Sequence, residues 1–176
     1  MKKLSIVIPC HNTAKFLPRC MNSLATQTIG IDNMEIILVN DASTDNDATW
    51  HEILNWESKY PESVIAINLE ENIRQGGARN MGMNYATAEY IGFIDSDDWI
   101  VPDFYERLIK KAEETGADLV GCDYCLTDEH SMKTGQIVPN NKPEQTGILD
   151  DEKRKSLILD GGSLVVKIFK RKMIIE

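Results

Sequence analysis

Glu35-Ile36-Ile37-Leu38-Val39-Asn40, followed at once by Asp41-Ala42-Ser43-Thr44-Asp45, decides the architecture. A nearly all-apolar run of strand length suits a parallel sheet covered on both faces, because a strand with one wet face would alternate apolar and polar residues. The polar turn behind it is the punctuation that ends a buried strand. Working outward, Leu4-Ser5-Ile6-Val7-Ile8 is a second short run, stopped by Pro9. Val64 to Leu69, Tyr90 to Ile94 and Leu119 to Tyr124 read as further strands.

Helical patterns fill the gaps. Phe16, Leu17, Cys20, Met21 and Leu24 recur at helical spacing, with Asn12 or Thr13 placed to cap that helix. Thr44 and Asp47 resemble a capping box before a helix carrying Trp50, Ile53 and Leu54. Gly76-Gly77 opens a helix running through Ala88, with Met81, Tyr85 and Ala88 on one face. Phe104, Leu108, Ile109 and Ala112 mark another, closed by Gly116 as the residue past its C-terminus. Strand and helix alternating in this way predict an α/β layered fold, a mostly parallel sheet flanked by helices with right-handed crossovers. Residues 126–147 turn polar and read as an irregular excursion or a hairpin. Asp150 to Leu159 then reads as helix and Ser163 to Phe169 as a strand.

Composition narrows the function classes. A chain of 176 residues with 42% hydrophobic and 27% charged residues is ordinary for one globular domain, or most of a larger one. Nineteen basic against 28 acidic residues give a net charge of −9, which argues against a nucleic-acid groove. The basic run Lys167-Ile168-Phe169-Lys170-Arg171-Lys172 reads as a solvated edge, with peripheral association to a membrane surface as the sharper alternative. Leu4 to Ile8 is too short for a signal peptide, and no apolar run approaches the ~20 residues of a membrane span, so a reducing cytoplasmic location is expected. Cys122 and Cys125 form a single C-x-x-C, half of what a structural zinc site needs, and are expected as packing thiols in a buried strand. His51 and His130 stand in no motif and read as surface residues.

In an open α/β sheet, ligands bind beyond the carboxyl ends of the strands. Three polar clusters fall at such ends: Pro9-Cys10-His11-Asn12, Asp41 to Asp45, and Asp95-Ser96-Asp97-Asp98. Three carboxylates within four residues repel one another, and a divalent cation is the simplest species to offset that repulsion. Asp98 has the alternative of capping the next turn. Gly76-Gly77-Ala78-Arg79-Asn80 at a helix start lets backbone amides approach an anion, with Arg74 and Arg79 adding positive charge. Arg79 has an equally good alternative, a salt bridge to the acidic turn.

Together these clusters resemble the family 2 glycosyltransferases. The matching stretches are Ser5 to Asn12, Ile37 to Asp45 and Asn72 to Trp99 (NIRQGGARNMGMNYATAEYIGFIDSDDW), in matching order and spacing from residue 4 to about 125. The resemblance implies the GT-A fold, a Rossmann-like nucleotide-binding α/β sheet, with residues 1–125 as the nucleotide-sugar-binding core and 126–176 as part of the acceptor side, truncated before the catalytic base. In the family's order that base follows the segment matched by Lys167 to Lys172, so it is expected beyond Glu176, while Asp150, Asp151 and Asp160 come too early. The resemblance also implies that Pro9, His11 and Asn12 line the base and ribose pocket, with His11 where the family often has Tyr. A neutral His11 imidazole hydrogen-bonded within the turn is the plain alternative. Asp41 would accept from a uracil-like base. Arg74, Gly76 and Arg79 would lie near the base or the diphosphate. Asp95, Ser96 and Asp97 would form the D-x-D motif, with Asp97 and Asp95 serving a Mn²⁺ or Mg²⁺ ion. The implied reaction is inverting transfer of a sugar from a nucleotide-sugar donor to a glycan or lipid-linked acceptor. Two rivals remain. One is a haloacid-dehalogenase-type phosphatase with Asp95 as nucleophile, disfavoured by Trp99 where that family wants Thr or Val. The other is a non-catalytic nucleotide-sugar-binding module.

Overall fold

The apolar runs become the strands of one sheet, because each can bury both of its faces only between two layers. β1 (Leu4–Cys10), β2 (Met34–Asn40), β3 (Val64–Asn68) and β4 (Tyr90–Phe93) lie mutually parallel, with β1 paired to β2 from Leu4 with Met34 through Cys10 with Asn40. β5 (Leu119–Gly121) and β8 (Lys167–Lys170) complete the sheet in the order β3-β2-β1-β4-β8-β5. β6 (Tyr124–Thr127) and β7 (Thr134–Val138) pair as a separate antiparallel ribbon. The structure, a computed structural model, describes residues 2–127, 134–140, 142–159 and 163–175.

Alternation along the strands sorts the side chains onto two faces. Leu4, Ile6 and Ile8 pack with buried residues of α1 (Leu17–Ala25), α2 (Ala48–Lys59) and α4 (Phe104–Thr115). Val7, Ile37, Val39, Ile91, Phe93 and Phe169 face the other way, toward Ala78 of α3 (Arg74–Met83). α3 sits tight on the sheet: a Cβ on Gly82 would stand 2.4 Å from Val7 Cγ1 and 3.1 Å from Val39 Cγ2. Gly116 ends α4 in the left-handed conformation, φ +67°, as the sequence predicts. α5 (Asp151–Leu159) falls within the segment read as helix, while the β6–β7 ribbon begins at Tyr124, two residues before the segment read as an excursion or hairpin.

Several local expectations are corrected. β8, read as a strand from Ser163 to Phe169, spans only Lys167–Lys170 and runs antiparallel, wedged between β4 and β5. A strand from the region expected on the acceptor side thus pairs within the same sheet as the strands of residues 1–125. The basic run is not a solvated edge: Ile168 and Phe169 are buried, Lys170 pairs with Glu89 at 3.8 Å, and Arg171 Nε donates to the Ala86 carbonyl at 2.9 Å. Neither Asn12 nor Thr13 caps α1, which begins after Phe16 without a side-chain cap. Thr44 and Asp47 form no capping box. Asp45 holds the start of α2 instead, accepting from Thr49 N–H at 3.1 Å and Thr49 Oγ1 at 2.6 Å. α3 stops at Met83, leaving Tyr85 46% exposed. Cys122 is half-buried and Cys125 exposed, because the strand read as continuous breaks between β5 and β6. His51 is exposed. His130, Asp160 and Glu176 lie outside the described residues, so the expectation of a catalytic base beyond Glu176 meets no structural observation.

Candidate functional site: a cleft at the carboxyl ends of the strands

Parallel register brings the three polar clusters to one end. The ladder continues past the strands, with Asp41 N–H donating to the Cys10 carbonyl at 2.8 Å and Ile94 N–H to that of Val7 at 3.4 Å. The three clusters therefore emerge side by side. They border a cleft of about 260 Å³ lined by Pro9, Cys10, His11, Thr13, Asp41, Gln75, Asp95, Ser96 and Asp97. Among the described residues, the non-glycine positions with positive φ are Asn12, Ala42, Asn46, Asp47 and Arg74. Four stand in the loops at this end, and Arg74 is the first residue of α3. Ala42 and Arg74 gain nothing from that conformation by themselves, and such local strain gathers where a site has to be shaped.

On one wall, His11 Nδ1 lies 2.8 Å from the Asp41 carbonyl oxygen, and its Nε2 lies 3.3 Å from Asn12 Nδ2. His11 Nδ1 also lies 3.1 Å from Asn72 Nδ2, so the imidazole links the loops that follow β1, β2 and β3. His11 lines the cleft and is hydrogen-bonded within the turn as well. Asn12 is drawn away from the cleft. Its N–H donates to Ser43 Oγ at 3.0 Å and its Oδ1 accepts from Thr44 N–H at 2.7 Å, so it clips the loop after β1 to the loop after β2. Asp41 is only 3% exposed, and its Oδ1 accepts from Ile73 N–H at 2.7 Å, fixing the loop that leads into α3.

The acidic turn forms the other wall. Asp95 Oδ1 accepts from Arg79 Nη2 at 2.5 Å and Gln75 Nε2 at 3.0 Å. Arg79 thus takes its salt-bridge alternative. Arg19 Nη2 donates to the Asp97 carbonyl at 2.8 Å, with its guanidinium 3.9 Å from the Trp99 ring centre. Two arginines therefore offset part of the repulsion that pointed to a cation. The offset is incomplete: burial, then the charges of Asp97 and Asp95, hold the Asp98 carboxyl above its usual range. Cys10 lines the cleft as a thiol, since burial pushes it up to about 12 and removes it as a nucleophile.

The sequence-predicted residues thus divide. Pro9, His11, Asp41, Asp95, Ser96 and Asp97 line the cleft, while Asn12, Arg74, Gly76 and Arg79 stand behind or beside it. Nothing lies within 4 Å of where a Gly76 Cβ would be, so that face of α3 is open. Cys10, Thr13 and Gln75 were missed. Gln75 sits inside the quoted Asn72–Trp99 motif, but its amide carries no charge to draw attention. A divalent ion fits the residues present. Asp95 has Oδ2 without a partner among the described residues and Asp97 is exposed, and two carboxylates with the remaining positions left to phosphate and water are what Mg²⁺ or Mn²⁺ commonly takes.

Comparison with known proteins shows the family and the fold. The uncharacterized glycosyltransferase YibD of Escherichia coli is 36% identical over 151 residues, which are 84% of this chain and 41% of YibD. TarS 1–349 of S. aureus, solved with UDP, superposes over 98% of this chain and 48% of its own, with a TM-score of 0.73 and 21% identity. Mannosyltransferase PcManGT of Pyrobaculum calidifontis, solved with GDP-Man and Mn²⁺, covers 68% of this chain and 35% of its own, with a TM-score of 0.61 and 22% identity. The chain spans less than half the length of each of these proteins. The family model described as Glycosyl transferase family 2 matches residues 5–171, and the chain, with its GT-A α/β sheet, belongs to that family.

Proposed function

We propose that the cleft binds a nucleotide-sugar donor, a UDP-sugar, for inverting transfer of the sugar to an acceptor hydroxyl on a glycan or lipid-linked chain. One observation carries the reading: Pro9, His11 and Asp41 on one wall face Asp95 and Asp97 on the other across a single cleft. The first wall suits a base and ribose, since Asp41 offers a carboxylate acceptor to a base N–H and His11 and Pro9 offer flat contact. The second wall is acidic and would repel a diphosphate. Asp95 and Asp97 are therefore the residues that would hold Mn²⁺ or Mg²⁺, which supplies Lewis-acid stabilisation of the charge growing on the leaving diphosphate. Two fold neighbours solved with UDP, and with GDP-Man and Mn²⁺, support this assignment.

An acceptor hydroxyl needs a carboxylate to take its proton. The cleft's carboxylates are Asp41, Asp95 and Asp97, and donor binding uses all three. No general base is assigned among the described residues, and residues 1–176 are expected to bind donor while transferring sugar weakly. Among the described residues, no helix is long and apolar enough to cross a membrane. Contact with a lipid-linked acceptor at the cytoplasmic face of the membrane belongs to the same proposal.

A thermal-shift series of nucleotide sugars with and without Mn²⁺ tests the proposal. The expected result is stabilisation by UDP-sugars that deepens with Mn²⁺. Stabilisation by none of them would sink it.

A further inference from the structure

We infer that Arg79, with Gln75, is a positioning residue for Asp95 and does not itself grip the donor's phosphates. The inference rests on the donor-binding reading and specifies how its acidic wall is set. Residues 75 and 79 stand four apart on α3, so their side chains leave the same face of the helix. Both reach the same atom: Arg79 Nη2 lies 2.5 Å and Gln75 Nε2 3.0 Å from Asp95 Oδ1. Two donors on one oxygen fix the rotation of the carboxylate and leave Oδ2 as the oxygen with which it can meet a ligand.

The clamp has a firm base. Gly82 lets α3 approach to where a Cβ would stand 2.4 Å from Val7 Cγ1, so the height of the helix above the sheet is set by backbone contact. The Arg79 side chain is only 16% exposed, and its Nε is buried without a hydrogen-bond partner among the described residues. A guanidinium optimised for stability alone would have all of its donors matched. One optimised to seize phosphate would present its fork to the cleft, yet Arg79 is absent from the cleft lining while Gln75 and Asp95 are in it. The arrangement is that of an outer residue orienting a carboxylate ligand.

Calorimetric titration of the full chain with UDP, in the presence and absence of Mn²⁺, tests this with Arg79→Met, Arg79→Lys and Gln75→Ala, well below each variant's Tm. Arg79→Met is expected to lose about ten- to a hundredfold in the metal-dependent part of UDP affinity, as removal of an outer-shell partner does elsewhere. Its metal-free UDP affinity is expected to stay unchanged. Arg79→Lys should recover part of the loss, and Gln75→Ala should show a smaller loss of the same selective kind. If Arg79→Met does not fold, the Lys and Ala variants carry the comparison. Equal loss with and without Mn²⁺ would overturn the inference by making Arg79 a phosphate ligand. A drop in Tm with unchanged Mn²⁺–UDP affinity would overturn it by making the pair merely structural. Wild-type binding of UDP with no effect of Mn²⁺ would overturn the clamp and leave the nucleotide site standing. No nucleotide binding by the wild type at all would remove the donor-binding reading and the clamp together.

Discussion

Asp97 and Asp41 show how differently two carboxylates of one cleft are held. Asp97 is exposed, and Arg19 grips its backbone carbonyl, not its side chain. Its carboxylate therefore contributes little to the fold. Asp97→Ala is expected to abolish the metal-dependent part of nucleotide binding while leaving Tm near that of the wild type. Calorimetry with UDP and Mn²⁺ checks the first half and a melting curve the second, and undiminished affinity would refute the metal role. Asp41 is buried and already accepts from Ile73 N–H. Asp41→Ala should cost roughly 1–3 kcal/mol in UDP binding, the value of a hydrogen bond to a charged group. It should also lower Tm, because the Ile73 amide loses its partner. Equal affinity of the wild type for UDP and ADP would argue against a base-reading Asp41. These positions were legible because strand ends and carboxylates announce themselves in a sequence. What Arg79 does was not: an arginine near an acidic turn is as ready to bind phosphate as to bind aspartate, and only the 2.5 Å contact with Asp95 separates the two.

At the scale of elements, the far end of the sheet is tied by a carboxylate that no motif marks. Glu35, in β2, accepts from Ser5 Oγ of β1 at 2.6 Å, from Thr87 N–H at 2.9 Å and from the Thr87 hydroxyl, while Ser5 Oγ accepts from Ala88 N–H at 3.1 Å. Burial by itself would raise this carboxyl, but the hydrogen bonds from Ser5 and Thr87 outweigh it, so the group is held below its ordinary value of 4.5. A carboxyl depressed by folding adds stability that is complete above its unfolded pKa and disappears as pH falls through the folded one. Denaturant midpoints of the wild type should therefore fall more steeply below about pH 4.5 than those of Glu35→Gln, where no proton can be taken up. Parallel slopes would exclude the staple as an acid-sensitive link. The same element logic applies to α3. Gly82→Ala should destabilise by about 1–3 kcal/mol, the usual cost of forcing volume into a packed site, because the new methyl group would meet Val7 and Val39 at once. Helix faces such as Leu17, Cys20, Met21 and Leu24 were readable because periodicity is local. The caps were misread because Asp45 competes with Thr44 for the same helix start, and a carboxylate that reaches both N–H and Oγ of Thr49 wins.

For the whole molecule, the layered α/β plan and the position of the cleft followed from strands that alternate with helices, while the place of β8 could not. Its residues, Lys167-Ile168-Phe169-Lys170, are too few and too mixed to show whether they pair at an edge or in the interior. Pairing with β4 and β5 joins segments about eighty and fifty residues away, a long-range event whose loop-closure cost is repaid only when the sheet assembles. The consequence can be measured. Every residue assigned to donor binding lies within 1–97, so residues 1–125 would suffice for binding if that stretch folded alone. The structure predicts otherwise. Removing β8 strips β4 of its neighbour directly beneath the Asp95 turn and separates β5 from the sheet, exposing Ile91 and Phe93 that now pack with Phe169. A 1–125 chain should therefore lose cooperative melting and Mn²⁺-dependent UDP binding together. Within the full chain, Ile168→Ala, at a site with 0% exposure, should cost about 2–5 kcal/mol. Circular dichroism melting of both variants decides the matter. A 1–125 chain that melts as sharply as the full protein would show that β8 decorates the sheet and does not hold it.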